Sequence, residues 1–115
     1  MHVTRYNTAK TYHPPKHPGA VAYRLQGMDT SPVQDFWVGV SHFLPGGGAE
    51  LDATPTEKVY VVLSGEVTVE ASGQRVTLKA YDSCVIGKNE ERTVINESPL
   101  PATMLVVIST PKAAA

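Results

Sequence analysis

Apolar and polar residues alternate in short runs along this chain, and no segment sustains a helical period. Val67, Val69 and Ala71 alternate with Thr68 and Glu70, Val76 and Leu78 alternate with Thr77 and Lys79, and Ser72-Gly73 lies between, the pattern of a tight β-hairpin. Further strands are predicted over 20–25, 36–44, 58–63, 83–86, 92–96 and 102–109. The run after Lys58 is apolar on both faces, which predicts burial on both sides. In 36–44, Phe36, Val38, Val40, His42 and Leu44 share one face and Trp37, Gly39, Ser41 and Phe43 the other. Both faces read as largely buried, so alternation leaves open which way His42 points. Pro45 to Gly48 stops that strand, and residues 26–34 read as a loop. The three prolines between His13 and Gly19 exclude a helix or a central strand and predict an extended segment. The expected layout is an extended N-terminal arm over 1–19, one all-β barrel over 20–111 and a frayed tail over 112–115.

Composition narrows this picture. With 115 residues, 42% of them hydrophobic, the chain forms one domain able to bury roughly two-thirds of its unfolded surface. Cys84 is the single cysteine, which excludes an internal disulfide and a multi-cysteine zinc site and reads as a small buried hydrophobe. No charged-then-apolar leader follows Met1, so a cytoplasmic location is expected. No run approaches the roughly 18 apolar residues of a membrane span, and a net charge of -1 with signs interspersed argues against a nucleic-acid partner.

The spacing of particular residues is more specific. Gly46, Asp52, Thr54, Lys58 and Gly65 fall at the intervals of the first cupin motif, in which Gly, His-x-His, Glu and Gly occur in that order. Residues 81–96, with Asp82 and Asn96 retained, fit the second motif. The chain therefore resembles a small single-domain cupin, which implies a double-stranded β-helix, the jelly-roll barrel. In metal-binding cupins two histidines and a glutamate of the first motif and a histidine of the second hold the ion. Those positions are Asp52, Thr54, Lys58 and Arg92 here, and a lysine and an arginine repel a cation rather than ligate it. No metal and no cofactor is expected. Tyr81, Gly87 and Asn89 replace the customary Gly, Pro and Gly of the second motif, where local loop geometry is free to differ.

If the resemblance holds, Asp52, Thr54, Lys58 and Arg92 converge inside the barrel, with Tyr60 on the same strand face as Lys58. Two cations beside one carboxylate leave a surplus positive charge that a small organic acid would compensate, Arg92 gripping it bidentately. Alternatively Lys58 and Arg92 pair with Asp52, Glu50 or Glu57 and plug the barrel. His42 is the imidazole best placed for acid-base work if it faces inward, and is otherwise structural. Lys58 is either an ion-paired ammonium or, beside Arg92, a base or nucleophile. His13 and His17 lie four apart, but the prolines forbid the helix that would join them at a metal. Three functions stay open: a metal-free binder of a small carboxylated metabolite; a metal-independent isomerase, decarboxylase or lyase acting on such an acid; and a structural dimer module with a plugged barrel. A homodimer is expected, with the N-terminal segment through Val21 to Leu25 free to extend a neighbour's sheet.

Overall fold

A computed structural model describes residues 1–110. After a single 3₁₀ turn at Tyr6–Thr8 the strands are β1 (Lys10–Tyr12), β2 (Ala20–Gln26), β3 (Phe36–Phe43), β4 (Gly48–Asp52), β5 (Lys58–Ser64), β6 (Glu66–Ala71), β7 (Gln74–Lys79), β8 (Ser83–Ile86), β9 (Arg92–Ile95) and β10 (Ala102–Ser109). They form two antiparallel sheets, in the orders β1-β2-β3-β10-β5-β8 and β4-β9-β6-β7. This is the predicted all-β jelly roll. The predicted tail 112–115, and residue 111 before it, lie outside the described residues.

Alternation decides what fills the space between the sheets. Ala102, Met104 and Val106 of β10 stand in register with Phe43, Ser41 and Gly39 of β3, and Met104 and Val106 with Val62 and Tyr60 of β5. These inward residues meet Val67, Val69 and Leu78 of the second sheet in one apolar cluster, in which Phe43, Val62 and Val67 are fully buried. Ser72 and Gly73 both take positive φ, 51° and 75°, as a type I′ hairpin requires. Tyr81 and Asn89, standing where the second motif carries glycines, also adopt left-handed φ, 72° and 60°, so the backbone bends there without them.

Three sequence readings are corrected. First, β5 is buried on one face only, because no second layer among the described residues covers its outer face. Val59 and Leu63 remain more than a third exposed, and on β3 it is the Trp37-Gly39-Ser41-Phe43 face that turns inward. Second, β4 follows the Pro45 turn and pairs with β9, although it was not foreseen as a strand. Gly48 permits that approach, since a Cβ there would lie 1.9 Å from the Val94 carbonyl oxygen. Third, the N-terminal segment is bound to its own barrel. β1 pairs with Ala22 to Arg24 of β2, and β2 pairs on its other side with β3, so that stretch offers no free edge and the edge strand of the sheet is β1 itself. From β1 the chain crosses to the second sheet. The Glu50 and Gly48 amides donate there to the carbonyls of Lys16 and Pro18 at 2.8 and 2.9 Å.

Candidate functional site

The apolar cluster forms the floor of the site, with Phe43, Met104 and Val106 lining both. Above it lies a cavity of about 390 Å³, within the range of small-molecule sites. Lys58 and Tyr60 reach it from β5, Arg92 from β9, Asp52 from β4 and Thr54 from the loop that follows, so five of the six predicted residues line one space. The sixth does not. His42 lies on the outer face of β3, where its Nε2 meets the Tyr6 hydroxyl at 2.9 Å and its Nδ1 the Thr103 hydroxyl at 3.0 Å.

Lys58 and Arg92 are 5% and 4% exposed, values at which a charged side chain ordinarily has an ionic partner. Here their partners are neutral oxygens. Arg92 Nε donates to the Tyr60 hydroxyl at 2.9 Å, joining the two sheets, and Nη1 donates to the Glu50 carbonyl at 2.8 Å. Lys58 Nζ donates to the Thr54 hydroxyl, which lies 2.8 Å from that of Thr56. Among the described residues no carboxylate oxygen lies within 4.0 Å of either cation. Asp52 faces Arg92 across the β4–β9 ladder, yet its carboxylate accepts from the Ala53 amide at 2.9 Å and approaches Lys16 at 3.9 Å. The ion pairs that would plug the barrel are not formed.

Burial pulls Lys58 below the ordinary lysine pKa and the Arg92 guanidinium pulls it further, against a smaller upward pull from Asp52. A base depressed in this way resists holding its proton in the folded state, so its contribution to stability rises with pH from the lowered pKa to the unfolded value. Lys58→Met is therefore expected to flatten that alkaline rise in denaturant melts; an unchanged rise would show that Lys58 is not the group responsible. Burial raises the Tyr60 pKa, opposed by Arg92. Because Arg92 donates to its oxygen, the Tyr60 O–H remains free to donate to a ligand.

Tyr12, His17, Arg24 and Trp37 line the cavity as well, with His13 and Ser41, and the sequence reading assigned none of them to the site. Arg24 lies 4.6 Å from the Tyr12 ring centre and 4.8 Å from that of Trp37, with Asp29 at 3.4 Å from Nη1. Arg24 shares the inward face of β2 with Ala22, and Trp37 that of β3 with Phe43, so correct facing of those strands would have found them. His17 leaves no such signal, because a proline-rich loop has no periodicity.

A two-sheet jelly roll with a side-chain-lined cavity defines the architecture, and the chain belongs to the cupin family, whose Cupin domain model matches residues 39–108. It is 39% identical over 113 residues to "Beta-D-galactosidase Rv1717" of Mycobacterium tuberculosis (strain ATCC 25618 / H37Rv), covering 98% of this chain and 97% of that protein. Two solved structures share the fold at low identity. An RmlC-like cupin from Shewanella frigidimarina NCIMB 400 has a TM-score of 0.80 at 16% identity, over 97% of this chain and 93% of that one. The polyketide cyclase RemF from Streptomyces resistomycificus has 0.82 at 15%, over 95% and 79%. The metal that many cupins hold does not suit this donor set. Asp52 is the one carboxylate lining the cavity, two buried cations occupy ligand positions, and no group of three His, Cys, Asp or Glu suited to a metal occurs among the described residues. No helix of the described residues is long and apolar enough to cross a membrane.

Proposed function

We propose that the cavity is a metal-independent site for a small carboxylate-bearing metabolite, with sugar acids the best-fitting class. The observation that supports this reading is the pair of buried cations, Lys58 and Arg92, bonded only to neutral oxygens. Two charges in a desolvated space stay costly until an anion joins them. Arg92 grips one face of a carboxylate, Lys58 adds a point charge, and the Tyr60 hydroxyl donates beside them. The 39% identical protein named for β-galactoside hydrolysis favours a sugar framework. Calorimetric titration with galacturonate, galactose, malate and mandelate tests the reading. Binding of acids but not of galactose is expected, and binding of galactose as tight as that of galacturonate would contradict it.

That relative also favours a second reading, hydrolysis of a galactoside. Such chemistry ordinarily uses two carboxyl groups, and this cavity offers Asp52 alone, with Tyr60 and His17 as further proton carriers. Release of nitrophenol from a nitrophenyl β-galactoside, lost in Asp52→Asn, would establish it; no release at high enzyme concentration would remove it.

A homodimer remains part of the proposal, now through the outer face of the six-stranded sheet. Val21, Val59, Leu63 and Val85 expose 46, 37, 39 and 61% of their surface there, next to the half-buried Val61, Leu105 and Val107. Covering such a face is the ordinary fate of an apolar sheet surface. Light scattering is expected to give a dimer that Val59→Lys with Val85→Lys converts to monomer; a monomeric wild type at micromolar concentration would count against it.

A further inference from the structure

We infer that His17 is a hydrogen-bond acceptor of the cavity, taking a ligand hydroxyl at Nε2, so that the acid recognised is a hydroxy acid. This rests on the carboxylate reading and narrows it. His17 lines the cavity from the Pro14-Pro15 strap at its mouth. Its Nδ1 lies 2.6 Å from the Pro15 carbonyl oxygen. A carbonyl has no proton to give, so Nδ1 carries the hydrogen and the neutral ring keeps a bare lone pair at Nε2. Among the described residues Nε2 has no hydrogen-bond partner.

The groups placed to hold the carboxylate are of the opposite kind. Lys58, Arg92 and the Tyr60 hydroxyl all offer protons, while the Ala53 amide and Lys16 both approach the Asp52 carboxylate at Oδ1. A ligand that satisfies the donors with its carboxylate finds in His17 an acceptor for a proton of its own. The strap is held for that task. Lys16 sits at φ 60° in the left-handed region, its carbonyl accepts from the Glu50 amide at 2.8 Å, and its ammonium faces Asp52. Partial burial and the Arg92 charge depress the His17 pKa, against the pull of the Pro15 carbonyl and Asp52, which keeps the acceptor form in place at neutral pH.

Two measurements test this. Imidazole ¹⁵N chemical shifts of the ligand-free protein are expected to show Nδ1 protonated and Nε2 bare; the reverse tautomer would overturn the assignment without any ligand. Calorimetry with two matched pairs, malate against succinate and mandelate against phenylacetate, reads the hydroxyl directly. Wild type is expected to prefer the hydroxy acid by about tenfold, the contribution of one hydrogen bond. His17→Leu removes that preference, whereas His17→Gln, which restores a carbonyl acceptor, recovers part of it. If all four acids bind alike in wild type and in His17→Leu, the His17 assignment fails while the carboxylate reading stands. If none binds, the carboxylate reading fails and this inference falls with it.

Discussion

Arg92→Met is expected to weaken binding of a carboxylate such as galacturonate by about ten- to a hundredfold, the loss of one charge-assisted contact of roughly 1.5 to 3 kcal/mol. The same substitution should leave the fold as stable as wild type or more so. The two effects separate because Arg92 is 4% exposed yet bonded to a tyrosine hydroxyl and a main-chain carbonyl, with no carboxylate at hand. Removing an uncompensated buried cation relieves desolvation and lifts the repulsion on Lys58. Lys58→Met should cost affinity less, since a point charge lacks the bidentate fork. Denaturant melts beside calorimetry decide the matter. Unaltered binding, or a loss of stability beyond about 3 kcal/mol, would make Arg92 a structural residue.

Asn96→Ala should be the more damaging change to the fold, by about 3 to 5 kcal/mol, because it strands several buried partners at once. Asn96 is fully buried at the end of the second motif. Its Nδ2 donates to the carbonyls of Phe43 and Leu100 at 3.2 and 2.8 Å, and its Oδ1 accepts from the Ser98 amide and hydroxyl at 3.0 and 2.8 Å. Its own amide and carbonyl bind the Gly46-Gly47 turn, so it joins the end of β3 to the loop before β10. Thermal melting is expected to fall by more than about 10 °C. A shift of only a degree or two would mean that water replaces these bonds.

The jelly roll was legible in the strand pattern and in the motif intervals, and the intervals also brought Asp52, Thr54, Lys58, Tyr60 and Arg92 to one cavity. What escaped has physical causes. β5 looks doubly buried because Val59 and Leu63 are apolar, yet nothing among the described residues covers that side of the strand. β3 carries apolar residues on both sides for the same reason, so alternation did not show that His42 turns outward to Tyr6 and Thr103. β4 begins in a glycine run that reads as a turn, and its place in the sheet comes from pairing with β9, a contact distant in sequence. Asp52, one of the three acids offered as alternative partners for Lys58 and Arg92, is the neighbour of Arg92 in that ladder, yet the ion pair is not made. Side-chain direction prevents it, since Arg92 reaches Tyr60 in the opposite sheet.

The central claim is that two buried cations, and no metal, hold the ligand's carboxylate. Its most direct test is calorimetric titration of the chelator-dialysed protein with galacturonate, alongside elemental analysis of the same sample. Binding at an affinity unchanged by dialysis, weakened by added salt and carried by protein free of stoichiometric transition metal is the predicted result. Binding that vanishes on dialysis and returns with a divalent metal would contradict it.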